Sequence, residues 1–444
     1  MGVEPVGKEL LDILLQHLGQ APFLAVLNSN FYDRTPVLPP AYHHLEWIVG
    51  VGFDPEDEEL PVPNPDAPGG VHPEYTFEAL ERAMTANPAF RMGYFSYGMT
   101  KHSLGQESNL TEATGCPKDW FWFRPSLLMT YGPQGLEFLV DRDGMAPLIR
   151  EWLRMAAPKK PDFTGPLLED IMVCQTTLGE YSRNIERIRE EILKGTFYEL
   201  NYCIEWLGHA ALDRPEALWE QMTHRAGAPF SGFVKNRELF VLCNSPERFL
   251  RKEGRQLTSQ PIKGTARRHP SPKEDQARAE SLRASIKDNA EHVMIVDLVR
   301  HDLSRCCDPL SVRVEELMQC YGFKSVHQLI STITGRLPEK QSWSDALKAC
   351  FPMGSMTGAP KPMVCKWIEY FERRQRGIYS GSLGWMHPSG DFDLNVVIRT
   401  LVYDRSTQEL SLAAGGAITW DSTAEQEWEE CDTKARSILE LRLP

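Results

Sequence analysis

Two stretches of the chain put carboxylates where a hard metal ion could use them. Asp288, Glu291 and His292 stand at i, i+3 and i+4, so a helix through them carries two carboxylates and an imidazole on one face. Near the C-terminus Glu427 and Glu430 are three apart, and Lys434 lies one further turn along. Magnesium takes oxygen ligands, often only one or two carboxylates, and completes its octahedron with water and substrate. Two helices each presenting a carboxylate would suit it. The same residues also read as solvated faces, because Glu427, Glu429 and Glu430 form a plain acidic run. Spacing alone leaves both readings open.

Glycines mark a second group. Lys263-Gly264-Thr265 follows Pro261-Ile262, Gly354 and Gly358 flank a short loop before Ala359-Pro360-Lys361, and Gly415-Gly416 precedes Ala417. Glycine lets a backbone approach a ligand and turn its N–H groups toward a carboxylate, though each site could equally be a plain turn. Neither a Walker A pattern nor GxGxxG occurs, so nucleotide binding has no support. A nucleophile elbow around Ser or Cys is absent as well, so the chain shows no glutaminase or esterase site of its own.

The elements that must position these groups follow from periodicity and punctuation. Thr177 with Glu180 has the form of a capping box, Tyr181, Ile185, Ile188 and Ile192 share a helical face, and Gly195 stops the helix. Strands are predicted over Phe197 to Trp206, Glu238 to Cys243 and Asn395 to Tyr403. Helices are predicted over Ser281 to Arg305, Trp343 to Cys350, Pro362 to Arg373 and Ala424 to Leu441. Strands and helices mix without a regular βαβ rhythm, which indicates an α+β class. Pro-rich stretches at Asp54 to Glu74 and Ala156 to Pro166 read as loops, the second separating an N-terminal third from the rest.

The chain has 444 residues and a formal charge of −13, which argues against a nucleic-acid or anionic-membrane partner. No run of about 18 apolar residues is present, and the N-terminus lacks a signal-peptide pattern. A cytoplasmic location is expected. Ten cysteines are scattered with no CxxC pair, so neither a zinc ribbon nor a disulfide framework is indicated. The glycosylation pattern Asn109-Leu110-Thr111 is then a chance match.

Several motifs occur in a fixed order: Ser245-Pro246-Glu247-Arg248-Phe249, Pro261 to Thr265, Ala290-Glu291-His292, Val296 to Leu303, FPMGSMTGAPK over Phe351 to Lys361, Arg376 to Gly381, Ile398-Arg399-Thr400, Asp421-Ser422, and Glu427 to Glu430 with Lys434. The series resembles the chorismate-utilising family of anthranilate synthase component I, aminodeoxychorismate synthase component I, isochorismate synthase and salicylate synthase. It covers about residues 175 to 440. The N-terminal region matches more weakly, best at Arg91 to Tyr97.

The resemblance implies one Mg2+ held by Glu291 and Glu430, with Asp288 and Glu427 nearby through water. It assigns Glu247 as the general acid that protonates the leaving hydroxyl of chorismate at ring carbon 4. Gly264, Thr265, His327, Tyr379, Arg399, Gly415, Gly416 and Lys434 would line the substrate pocket. Chorismate is a dianion, so a divalent cation, an Arg and a Lys suit it. Hydrating members are similar to one another in carrying a Lys where this chain has Glu199. Anthranilate synthases carry Ala where it has Lys263, and aminodeoxychorismate synthases carry Lys there. A Lys amine in a partly dry pocket near a cation should have a lowered pKa and act as a nucleophile at ring carbon 2. The expected product is 4-amino-4-deoxychorismate, the precursor of p-aminobenzoate and folate. The rivals are anthranilate synthase component I and a non-catalytic chorismate-binding subunit. His301, Ala417 and Glu199 depart from the family's usual Asn, Gly and Gln.

The fold implied by the resemblance is two large antiparallel sheets packed together, with helices outside and the active cleft between them. Residues 1–155 would lend strands to the shared sheets and 167–444 would form the catalytic domain. Ammonia would come from a separate glutamine amidotransferase subunit, the expected partner, or from free ammonium.

Overall fold

The computed structural model describes residues 7–29, 45–58, 75–105, 110, 118–155 and 162–444. Residues 59–74 and 156–161 of the two Pro-rich stretches, Asn109 and Thr111 of the glycosylation pattern, and Cys116 lie outside the described residues.

The strands form two antiparallel sheets. Among the described residues the larger has eleven strands. Gly358–Ala359 begins its order, followed by Glu199–His209, Glu409–Ile418, Thr400–Asp404, Leu239–Ser245 and Phe230–Asn236. Phe23–Asn28, Trp47–Gly52, Leu127–Gly132 and Gly135–Asp141 complete it, while Met172–Cys174 pairs alongside Glu199–His209. The smaller sheet runs Ile262–Arg267, Val326–Arg336, Gln256–Gln260, Arg248–Glu253, Phe392–Asn395, Ser382–Met386, Arg91–Phe95 and Trp120–Phe123, with Arg313–Gly322 added on Val326–Arg336. The expected α+β arrangement of two large sheets is present. Phe23–Asn28 pairs with Phe230–Asn236, and Arg91–Phe95 with Ser382–Met386, so the N-terminal third contributes to both sheets.

Alternation along Trp120–Phe123 shows how the layers are built. Successive strand residues face opposite sides. Phe121 and Phe123 enter the core shared by the sheets, with Phe23, Leu128, Val234 and Leu383. Trp120 and Trp122 face the other way, into the core under helices Phe77–Ala86 and Trp343–Cys350. Burying an aromatic ring removes about 150–250 Å² from water, or roughly 4–6 kcal/mol as an upper figure before entropy. The outer face of the larger sheet is covered by helices Gly7–Leu18, Leu178–Leu193, Pro215–Ala226, Lys361–Glu372 and Ala424–Leu439.

Two predicted elements are broken, each for a local reason. The run from Ser281 to Arg305 is not one helix. Pro272–Ala284 ends and Ile286–Ser304 begins at Ser285, whose backbone is extended and whose hydroxyl accepts from the Asp288 N–H. Capping satisfies an N–H that a new helix would otherwise leave bare. The predicted strand from Asn395 to Tyr403 is two strands in different sheets. Phe392–Asn395 ends in the smaller sheet and Thr400–Asp404 starts in the larger. Arg399, at φ +52, makes the crossing. The apolar residues Val396 and Val397 are buried within that crossing, which is why the run resembled one continuous strand.

Candidate active site

The smaller sheet supplies Lys263. The ladder of Ile262–Arg267 with Val326–Arg336 slips between Lys263 and Thr265. Gly264 occupies the slip at φ +83, where glycine is favoured, and a Cβ on it would lie 3.2 Å from Asp288. Such a bulge re-aims its neighbours. Lys263 is largely buried and turned to carboxylates, whereas Thr265 is exposed. Lys263 Nζ stands 3.3 Å from Glu199 Oε1 and 4.0 Å from Glu291 Oε2.

Helix Ile286–Ser304 presents Glu291, and His292 fixes that helix to the sheet. The ring is fully buried, with Nε2 2.7 Å from Ser331 Oγ and Nδ1 3.3 Å from the Lys263 carbonyl oxygen. A nitrogen facing a carbonyl must donate, so the ring donates through Nδ1 and accepts from Ser331. Burial pushes its pKa down, which keeps it neutral. His292 is therefore a strut beneath Glu291.

The larger sheet and helix Ala424–Leu439 supply the opposing wall. A Cβ on Gly416 would lie 3.2 Å from Glu427 Oε2 and 3.4 Å from Glu430 Oε1, so the bare glycine makes room for both carboxylates. Ser422 donates to Glu427 at 2.7 Å. Lys434 Nζ donates to the Gly415 carbonyl oxygen at 2.7 Å and to Glu430 at 2.5 Å. Lys287 Nζ lies 3.9 Å from Glu291 and 3.7 Å from Glu427, so one ammonium faces carboxylates from both helices.

These charges shift one another. Burial raises Glu291 to about 7, against the pull of Lys263 and Lys287. Burial also raises Glu427; it works against Glu430 too, but Lys434, Lys263 and Lys287 together bring Glu430 below its ordinary value. Burial depresses the Lys263 amine, but Glu199, Glu291 and Glu430 push it up harder, to about 12. Glu199, Glu291 and Glu430 thus hold the proton on Lys263, the opposite direction to the expected lowered amine.

Glu427 and Glu430 offer hard oxygen donors beside Gly416, and Glu291 faces the same Lys287 ammonium as Glu427. That donor set suits a magnesium ion that retains water. Among the described residues no three His, Cys, Asp or Glu side chains form a ready-made cage. Asp288 sits behind this group, against Gly264.

Glu247 lies at the turn between Leu239–Ser245 and Arg248–Glu253 and is buried. Its N–H donates to Ser245 Oγ at 3.2 Å, and its carbonyl accepts from Val396 N at 3.0 Å. Burial raises the carboxyl to about 7, opposed by a Ser355 hydrogen bond and by Lys263. The loop carrying Ser355 is fixed from behind. Lys361 donates to Asp302 at 2.5 Å and to the Cys350 carbonyl oxygen at 3.0 Å, while Arg376 donates to the carbonyls of Met356 and Asn201.

Tyr379 is buried with its hydroxyl 3.7 Å from Cys203 Sγ. Burial lowers the Arg399 guanidinium, and Tyr379 and Glu430 are the charges that oppose this. Among the described residues Arg399 makes no side-chain hydrogen bond or ion pair, which leaves a cation open to an anionic ligand. His327 stands apart from these groups. Its Nε2 donates to Asp275 at 2.9 Å, on helix Pro272–Ala284. Glu199, Lys287 and Ser355 were absent from the sequence-derived site. Ser355 sits inside the FPMGSMTGAPK motif, and Glu199 had been noted as the position that separates the chain from the hydrating members and as a departure from the usual Gln.

Residues 51–440 match the family described as chorismate binding enzyme. The chain belongs to this family. Among chorismate binding enzymes, it is 42% identical over 316 residues to an aminodeoxychorismate synthase of Streptomyces griseus, covering 68% of this chain and 43% of that protein. It is 37% identical over 295 residues to aminodeoxychorismate synthase component 1 of Escherichia coli, covering 65% and 63%. The chain therefore spans less than two thirds of either relative. The structure of anthranilate synthase component I from Streptococcus pneumoniae superimposes with a TM-score of 0.75 at 24% identity over 92% of this chain and 94% of that one, which shows the shared fold.

Proposed function

We propose that the chain converts chorismate and ammonia to 4-amino-4-deoxychorismate. The observation that carries this is Lys263, an amine held between the two sheets opposite the Glu427–Glu430 wall. The aminodeoxychorismate synthases among its relatives support the reading. Glu291 and Glu430 would hold Mg2+, with Asp288 and Glu427 behind. When bound, the ion supplies a seat for a ring carboxylate and neutralises two of the carboxylates that keep Lys263 protonated.

Lys263, as the free amine, attacks ring carbon 2 and both ring double bonds shift, the first to between carbons 1 and 6 and the second to between carbons 4 and 5. The carbon 4–oxygen bond breaks as Glu247 gives its proton to the departing hydroxyl, which leaves as water. Ammonia then attacks carbon 4, both double bonds return to their original places, and the nitrogen–carbon 2 bond breaks to release Lys263. The new ammonium gives its extra proton back to Glu247. Arg399, Tyr379, Lys434 and the backbone at Gly264, Gly415 and Gly416 orient the substrate, while His327, engaged with Asp275, stays outside it.

The name "component 1" carried by one relative supports a partner subunit, which we take to be a glutamine amidotransferase supplying ammonia. Residues 167–444 would be the catalytic domain and 1–155 a supporting region. Among the described residues no helix is long and apolar enough to cross a membrane, in keeping with work in the cytoplasm. Anthranilate synthase is the second reading, favoured by the shared fold but not by Lys263. Incubating the protein with chorismate, Mg2+ and ammonium, and identifying the product by mass, decides between them. Anthranilate, isochorismate or unchanged chorismate would sink the proposal.

A further inference from the structure

The carboxylate nearest Lys263 is Glu199, at 3.3 Å against 4.0 Å for Glu291. Glu199 is 6% exposed, and among the described residues its side chain has Lys263 as its hydrogen-bonding partner. A charge this far from water needs such a partner. The backbone under Glu199 is clamped. It pairs with Ala359, and the next residue, Leu200, pairs with Ile418. Gly358, at φ +143, approaches so closely that a Cβ there would stand 2.1 Å from the Glu199 carbonyl oxygen.

Glu199 thus belongs rigidly to the larger sheet, and Lys263 to the smaller. Their contact spans the cleft. A lysine has four rotatable bonds and about 2 kcal/mol of rotamer entropy, so an unheld amine would wander. The next carboxylate within its reach is Glu291, a proposed metal ligand.

Building on the function proposed above, we infer that Glu199 is the positioning residue for Lys263: it draws the amine away from Glu291 and holds it in the cleft, poised for ring carbon 2. Losing it would let the ammonium settle on Glu291, where it both misses the substrate and competes with Mg2+.

The test uses Glu199→Ala and Glu199→Gln in the full chain. Two readouts are needed: steady-state product formation identified by mass, and Mg2+ binding by calorimetry without substrate. For Glu199→Ala, kcat should fall about 10- to 100-fold, as misplaced reacting groups do, with the KM for chorismate within about threefold. Its Mg2+ affinity should weaken about three- to tenfold, the size expected for one nearby charge. Glutamine keeps an acceptor for the ammonium, so Glu199→Gln should recover most of both losses. If Glu199→Ala keeps kcat and Mg2+ affinity within about twofold, or if glutamine rescues neither, the inference is overturned. Should the wild-type protein make a different product, the functional reading fails instead. The calorimetric comparison of alanine with glutamine then decides the role of Glu199 by itself.

Discussion

Lys361 and Asp302 form a buried ion pair at 2.5 Å, with side chains 4% and 6% exposed. It ties the start of helix Lys361–Glu372 to helix Ile286–Ser304, and so closes off both ends of the segment that brings Ser355 to Glu247. Removing one partner leaves an uncompensated buried charge, which costs about 3–5 kcal/mol. Lys361→Met should therefore lower the urea midpoint strongly. The double variant with Asp302→Leu should recover much of that loss. Equal stability of wild type and Lys361→Met would show the pair to be unimportant.

Glu247 sets a limb of the pH profile. An unfolded glutamate titrates near 4.3, and burial raises Glu247 to about 7. Folding thus favours its protonated form. That contribution to stability is complete below about pH 4.3 and is lost as pH rises through about 7. The proton donor is likewise present below about 7, so kcat/KM should fall about tenfold per pH unit above it. Glu247→Gln should slow turnover by about 10²- to 10⁴-fold and flatten that limb. A limb that persists in the variant belongs to another group.

Lys263→Ala should reduce aminodeoxychorismate formation by at least about a hundredfold, because the covalent route loses its nucleophile. Mass analysis of the chorismate-treated wild type after rapid acid quenching should reveal an adduct on the peptide containing Lys263, and none in the variant. Full activity of Lys263→Ala would rule out the covalent route.

Gly416→Ala would place a methyl group 3.2 Å from Glu427 and 3.4 Å from Glu430. Carboxylates displaced by a few tenths of an ångström lose metal geometry, so Mg2+ affinity should weaken about 10- to 100-fold. Lys287→Met should act oppositely. It removes an ammonium that faces Glu291 and Glu427, and Mg2+ should bind a few-fold more tightly, the modest size reflecting a half-exposed lysine. Calorimetry with MgCl2 checks both, and a shift of the wrong sign in either variant would contradict the proposed site.

The motif series carried the two-sheet α+β fold, while local breaks and contacts between the sheets escaped it. Helix Trp343–Cys350 was legible as a short helical pattern, and in the structure Ser342 and Asp345 cap it reciprocally. The breaks at Ser285 and Arg399 were missed because apolar periodicity runs through both. One helix yields to two when a serine offers a better cap, and one strand yields to two when the chain changes sheet. Glu199 illustrates a different limit. It is 64 residues from Lys263 in the chain and on another sheet, so no spacing rule joins them. The reversed shift of Lys263 has the same origin, since its causes come from three separate elements.

The interleaving of early and late strands also shapes how the chain must be made. Phe23–Asn28 lies between Trp47–Gly52 and Phe230–Asn236, and Arg91–Phe95 lies between Trp120–Phe123 and Ser382–Met386. As the polypeptide leaves the ribosome, each early strand finds one neighbour nearby and waits for the other until Phe230–Asn236 or Ser382–Met386 has been synthesised. Such distant pairings slow folding, and an edge left open in the meantime invites pairing with other chains. A nascent chain halted after Met155 would present two incomplete ladders with nothing to close them, so production of this enzyme should depend on chaperones far more than its final stability suggests.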